Sequence, residues 1–317
     1  MGLTNTELSY YDGNVLRLPA EKRKEYHQQV DRLIDELRKH VTEKSALKIT
    51  KVVKAGSFAK YTILRKTTDD PVDVDVVFYI SGKDANQETL DSLSEMIHSL
   101  LINIYPSKSV EDFEIQKKAA TVTFIGSGLS VDVVPIVQDP SRENHGWQYD
   151  LSTGVKSSTC APCQIKFVRD RKEDDAHFRT LVRLAKRWRN HAQPPGLKSF
   201  HIELIMAYLL DRDGAQESIE KRFRDFLLYI AQSGLKERID FRENHGKTAT
   251  AFTTPVVIVD PANSENNVAS RISEDEREEI VKIADESWET AIHASEEGDV
   301  SVWKEIFGPR FKIKDAE

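Results

Sequence analysis

Val72-Asp73-Val74-Asp75-Val76-Val77-Phe78, preceded by the pair Gly56-Ser57, is the stretch on which the fold turns. Along an extended chain successive side chains alternate faces, so Asp73 and Asp75 project from one side while the intervening valines point into packing. Two neighbouring carboxylates repel, and within so apolar a run their charge demands compensation. Hard oxygen ligands at this spacing suit Mg²⁺ or Mn²⁺. Asp132, in the equally apolar run Val131-Asp132-Val133-Val134, supplies a third carboxylate. Gly56-Ser57 closes another apolar run with a small residue and a hydroxyl, which lets backbone N–H groups approach a phosphate. The expectation is a site where two metal ions clamp a nucleoside triphosphate.

With 317 residues the chain can bury a sizeable core, as one large two-lobed unit or as two domains. Its 45 basic and 52 acidic residues give a net charge of −7, which argues against gripping long nucleic acid, since that affinity comes mainly from cations on phosphates. A local exception runs from Cys160 to His191, where nine Lys or Arg face four acids. No apolar run approaches the roughly 20 residues that span a bilayer, and the N-terminus lacks an export signal, so a cytoplasmic protein without a membrane partner is expected. Cys160 and Cys163, the two cysteines, are spaced C-x-x-C. Even with His145 close in sequence they fall short of a four-coordinate zinc site, and reduced thiols are expected.

Tyr26, Val30, Leu33, Ile34 and Leu37 recur at helical spacing in the charged segment 19–44 and predict a long amphipathic helix. Residues 47–55 read as a strand, 86–103 as a helix, and 119–137 as two strands around the turn Gly126-Ser127-Gly128. Residues 138–158 are polar and read as a loop or boundary. Helices follow: one carrying Phe178, Leu181, Val182, Ala185 and Trp188 on its apolar face, a second capped by Ser199 and apolar on most sides, then 215–233 and 274–296. Lys186 is either a solvated helix lysine or, with Arg183 and Arg187, part of a basic pocket wall. His201 reads as a core histidine, and Trp147 and Tyr149 as packing residues.

As a series these motifs resemble the polymerase-β-type nucleotidyltransferase superfamily: Gly56-Ser57, Asp73-x-Asp75, then Asp132. The later segments Leu181 to Trp188, Lys198-Ser199-Phe200-His201-Ile202-Glu203-Leu204 and Asp260-Pro261 with Asn266-Asn267 are similar to bacterial cGAS/DncV-like nucleotidyltransferases. Ile80-Ser81-Gly82, the segment Gly126 to Pro135 and Phe307-Gly308 look closest to the C clade, which is associated with HORMA-domain partners. The resemblance implies an α+β, two-lobed fold: a mixed-sheet catalytic lobe over residues 1–160 with a long spine helix, and a helical lobe over 161–317 similar to oligoadenylate synthetase. It further implies that Asp73, Asp75 and Asp132 hold two Mg²⁺ ions, that Gly56 and Ser57 cradle the triphosphate, that Lys186 and Ser199 contact its outer phosphates, and that Phe200 lies against a base. The implied activity joins ATP and other NTPs into a cyclic oligonucleotide, such as a cyclic tri-adenylate, as a second messenger in anti-phage defence.

Two alternatives stand beside it at this stage: transfer to a protein or RNA acceptor, and an inactive nucleotide-binding scaffold. Two departures from the family pattern are visible. Tyr61 stands where glycine is common after Gly-Ser, and the chain ends Lys314-Asp315-Ala316-Glu317, without the terminal small residue used for conjugation.

Overall fold

The computed structural model describes residues 2–65, 71–81, 90–245 and 250–314. Gly82, residues 86–89 of the expected helix and the end of the chain from Asp315 lie outside them. The chain divides into two compact units, Leu18–Lys166 and Met1–Arg17 together with Phe167–Glu317.

The first helix, α1 (Asn5–Tyr11), is closed at its start by a capping box in which Thr4 and Glu7 satisfy each other's backbone N–H groups. A π-helical turn, Asp12–Leu16, continues it. Both belong with the C-terminal helices, where the sequence placed them in the catalytic lobe. The reason is a charge: Asp12 is buried, and its carboxylate takes two bonds from Arg183, Nε to Oδ1 at 2.5 Å and Nη2 to Oδ2 at 2.6 Å, with a third from Thr180. An acid so far from its partner in sequence gives no local sign of the pairing.

In the unit Leu18–Lys166, α2 (Ala20–Lys44) buries Tyr26, Val30, Leu33, Ile34, Leu37 and Val41, the stripe its periodicity predicts. Then come β1 (Lys48–Lys54), the short α3 (Gly56–Lys60), β2 (Val72–Ser81), α4 (Leu90–Ile104), β3 (Phe113–Ile115), β4 (Ala120–Phe124) and β5 (Leu129–Gln138). The sheet runs β1-β2-β5-β4-β3. Among the described residues of the sheet only its central pair, β2 with β5, is parallel, because the connection between them crosses over through α4; the pairs β1–β2, β4–β5 and β3–β4 are antiparallel. Val72, Val74, Val76, Phe78 and Ile80 share one core with the stripes of α2 and α4. Each such fully buried side chain contributes about 1.5–3 kcal/mol. Ser127 serves the β4–β5 turn, its hydroxyl donating to the Phe124 carbonyl, and the Tyr26 hydroxyl ties α2 to that turn.

Residues 138–158 are only in part a loop. After Gln138 ends β5, residues 139–145 are irregular as expected, but the rest form a hairpin of β6 (Gly146–Asp150) and β7 (Val155–Thr159), paired to the far end of β5. Its residues are polar because much of the hairpin is exposed, while Trp147 and Tyr149 pack against the core. Cys160 and Cys163 follow, joined by a disulfide where free thiols were expected. The C-x-x-C turn holds their Cα atoms 5.2 Å apart, within the range a disulfide spans.

The second unit is helical. Beyond α5 (Ala161–Asp174), whose later part belongs here, it contains α6 (Phe178–Ala192), α7 (Ser199–Asp213), α8 (Ile219–Ser233), the two-stranded ribbon of β8 (Val259–Asp260) and β9 (Asn263–Asn267), α9 (Glu274–Glu297) and α10 (Trp303–Phe307). The helix expected from residue 215 begins at Ile219, where the Ser218 hydroxyl caps it. Among the described residues no helix is long and apolar enough to cross a membrane.

Candidate active site

On β2 and β5 the register places Asp75 directly opposite Asp132, and Asp73 opposite Ser130. Adjacent strands lie about 4.8 Å apart, and odd-numbered β2 residues share a face with even-numbered β5 residues. All three carboxylates therefore rise from one side of the central parallel pair, while their valine neighbours fill the core on the other. Asp73 is exposed, and Asp75 and Asp132 are half-buried.

Burial pushes the Asp75 carboxyl up to about 6; Asp132 and Asp73 add to this, and the Lys60 ammonium opposes it. Asp132 is raised too, first by burial and also by Glu114, against a 2.6 Å hydrogen bond donated by the Thr121 hydroxyl. Half-buried like charges with raised pKa values suit a cation, which would offset both the burial and the repulsion. A donor set of three carboxylate groups fits hard divalent ions. Among the described residues, the ligand atoms that crowd within 4.8 Å of one another are those of His145, Cys160 and Cys163.

The turn after β1 is built around Asp75. The Ala55 N–H donates to the Asp75 carbonyl at 2.8 Å, and Gly56 adopts φ +57°. A Cβ on Gly56 would lie 1.7 Å from Asp75 Oδ2, so glycine is required both by the backbone and by the carboxylate beside it. Ser57, the second residue of α3, is half-buried, and its carbonyl accepts from the Thr62 and Ile63 N–H groups. Tyr61, where glycine was expected, takes φ 62° and so keeps the left-handed conformation that explains the preference. Its exposed ring lies under the Arg23 guanidinium, 3.6 Å from ring centroid to Cζ. Lys60, buried and adjacent in charge to Asp75, was not singled out from the sequence; in a motif with several polar neighbours only its burial marks it.

In the helical unit the basic run is largely committed. Arg183 is held by Asp12, Arg187 donates to the Phe307 carbonyl, and Arg171 bridges Asp211 and Glu243. Lys186 is not a solvated helix lysine: it is buried, and its Nζ lies 2.6 Å from Glu203 Oε1. An acid in a helix read as apolar on most sides was the available cue for that pair. Ser199 is the first residue of α7, not its cap, and its hydroxyl accepts from Arg189 Nη2 at 2.8 Å. Phe200 is half-buried.

The Asp260–Asn267 segment acquires a physical role. Asp260 accepts from the Ala262 N–H and from Asn266, while Asn267 bonds the backbone of Val256, Ile258 and Ala269. This lattice fixes Val268, whose carbonyl meets His201 Nε2 at 3.0 Å, and the other ring nitrogen accepts from the Lys198 N–H. Burial pushes His201 down to about 4, so it is neutral at pH 7 and sets the start of α7 that carries Ser199 and Glu203.

A model of the SMODS domain, Second Messenger Oligonucleotide or Dinucleotide Synthetase, matches residues 4–162. The chain is also 62% identical over 316 residues to the CBASS oligonucleotide cyclase CdnC of Escherichia coli (strain KTE188), covering 100% of both. It belongs to that family. A relative of lower identity is the cyclic AMP-AMP-AMP synthase of Escherichia coli (strain MS 115-1), 31% identical over 307 residues and 94% of each chain. Solved structures of E. coli MS115-1 CdnC, one with ATP and one in complex with HORMA-deltaN, match with TM-scores of 0.84 and 0.83 at 29% identity, over 98% of this chain and 99% and 98% of theirs. The chain is thus a C-clade cGAS/DncV-like nucleotidyltransferase, an enzyme of the CBASS oligonucleotide cyclase type that serves anti-phage defence, with the α+β fold of a family that uses divalent metal ions.

Proposed function

We propose that this enzyme joins ATP into a cyclic tri-adenylate, or a closely similar cyclic di- or trinucleotide, at the three carboxylates of β2 and β5. The pairing of Asp75 with Asp132 in register, on the face that also carries Asp73, is the observation that supports it. Two Mg²⁺ ions, or Mn²⁺ in their place, held by Asp73, Asp75 and Asp132 would supply Lewis acidity at the triphosphate and lower the pKa of the attacking hydroxyl. Asp132, with its raised pKa and its Thr121 bond, is suited to take the proton from that ribose hydroxyl as it attacks the α-phosphorus in line and pyrophosphate leaves. Gly56 and Ser57 present their backbone to the phosphates. Lys186 and Ser199 contact the β and γ phosphates, and Phe200 lies against a base. Repetition, with closure on the first nucleotide, makes the ring. The product class follows the relative named cyclic AMP-AMP-AMP synthase. A cytoplasmic site of action and a HORMA-domain activating partner follow the same kinship.

The test is mass spectrometry of the product formed from the four NTPs with Mg²⁺, with and without a HORMA-domain protein of the kind bound by E. coli MS115-1 CdnC. A cyclic tri-adenylate or related ring is expected. Linear oligomers alone, or no product even with the partner, would overturn the reading.

The Lys186 role has its own measurement. Alanine at 186 strands the buried Glu203 carboxylate and costs stability for that reason alone, so the informative variant is the pair Lys186→Ala with Glu203→Ala. It is expected to raise the KM for ATP roughly tenfold, equivalent to about 1.4 kcal/mol of lost binding, with a smaller change in kcat. A lower Tm with unchanged KM would remove Lys186 from the phosphate site.

A further inference from the structure

The C-x-x-C pair stands at the start of a helix. Cys160 ends the connection from β7, and Cys163 lies in the first turn of α5, its N–H directed at Cys160 Sγ at 3.2 Å. A sulfur at a helix N-terminus that accepts a backbone N–H is favoured as thiolate. Cys160 is fully buried, while Cys163 is half-buried.

His145 arrives by strand register, although 15 residues separate it from Cys160. It immediately precedes β6, and Gly146 at the start of β6 pairs with Thr159 at the end of β7, so the residues flanking that pair, His145 and Cys160, meet at the hairpin's open end. The imidazole Nδ1 lies 2.9 Å from the Glu143 carbonyl. That contact places the proton on Nδ1 and leaves the Nε2 lone pair as a ligand, the arrangement metal-bound histidines adopt when a carbonyl orients them. The ligand atoms of His145, Cys160 and Cys163 all lie within 4.8 Å of one another.

We propose that His145, Cys160 and Cys163 form a zinc site, separate from the carboxylates of β2 and β5, which is filled when the two sulfurs are reduced. Two thiolates and an imidazole select Zn²⁺ over the oxygen-seeking Mg²⁺. With three protein ligands the fourth position of the tetrahedron goes to water. The disulfide is the metal-free form of the same locus. A thiol reductant supplies the two electrons and two protons that open the Cys160–Cys163 bond and itself becomes a disulfide; each cysteine thiol then loses its proton as it binds zinc. The metal fastens the start of α5 to the entry of β6. Ala161 beside it packs with Val77, Tyr79 and Ile136, on the sheet face that carries Asp75 and Asp132.

The test uses the full chain, produced and purified with a phosphine reductant, and reads metal content and affinity, independently of nucleotide product. About one zinc per chain is expected by elemental analysis, and cobalt in its place should give the visible bands of a tetrahedral, sulfur-containing site. Cys163→Ser and His145→Gln, both at half-buried positions, should weaken zinc by at least about tenfold. The proposal is overturned if the reduced wild-type chain takes up no more zinc than Cys163→Ser at micromolar free zinc, or if His145→Gln binds it as tightly as wild type.

Discussion

Asp75→Asn is expected to abolish nucleotidyl transfer and, at the same time, to make the metal-free enzyme more stable. The two effects share one cause. The carboxyl is raised from 3.8 to about 6 by burial and by Asp132 and Asp73, with Lys60 offsetting only part of this. The folded state therefore holds the Asp75 proton more tightly than the unfolded chain does. Below pH 3.8 the group is protonated in both states and carries no penalty. Between 3.8 and about 6 the unfolded chain ionises first and stability falls, and above about 6 the full penalty remains. A shift of this size corresponds to roughly 2–3 kcal/mol at neutral pH, at 1.36 kcal/mol per unit. Asparagine keeps the shape and removes the charge, so metal-free Asp75→Asn should exceed wild type in stability at pH 7, and the margin should vanish by about pH 4. Chemical denaturation at both pH values, in a chelator, measures the difference. Wild type should then gain stability with added Mg²⁺ while the variant gains little. An Asp75→Asn enzyme that still turns over, or that is no more stable than wild type at pH 7, would falsify the placement of Asp75 as a metal-bearing carboxylate.

How much of this was legible in the sequence depended on whether a residue's neighbours were local. The 3.6-residue stripe of α2 and the alternation of β2 announce themselves, because burial on one face imposes a period. The three carboxylates were legible for a related reason: an acid set among valines is conspicuous. What the sequence concealed was pairing at a distance. Arg183 looks like one more cation of a basic run until Asp12 is seen to close on it, and that contact moves the first residues of the chain into the helical unit. Lys60 and Glu203 were hidden in the same way, since only tertiary burial separates them from surface charges. The β6–β7 hairpin was lost because its mostly polar strands bury only Trp147 and Tyr149 against the core, too few to impose a pattern, and zinc was discounted because Cys160, Cys163 and the nearby His145 fall short of four ligands.

Gly56→Ala carries the second large effect, and it separates two explanations of why glycine stands there. The backbone at φ +57° costs any other residue roughly 1–2 kcal/mol, which is a matter of stability. The added Cβ, however, meets Asp75 Oδ2 at 1.7 Å, Cγ at 2.7 Å and Cβ at 3.3 Å. Rotating the terminal oxygen away is not enough when Cγ is also too close; the whole carboxylate must leave its place opposite Asp132. A displacement of about 1 Å in a group that positions reacting atoms costs on the order of 10²-fold in rate. Turnover is therefore expected to fall at least that far, chiefly in kcat, with ATP still bound. If Gly56 serves only to let the phosphates approach the backbone, KM rises instead and kcat is largely kept. A double-mutant cycle with Asp75→Ala decides whether the two side chains compete for space. Removing the carboxylate should relieve part of the stability cost of Gly56→Ala, leaving the backbone term, whereas strictly additive costs would show that alanine at 56 never touches Asp75.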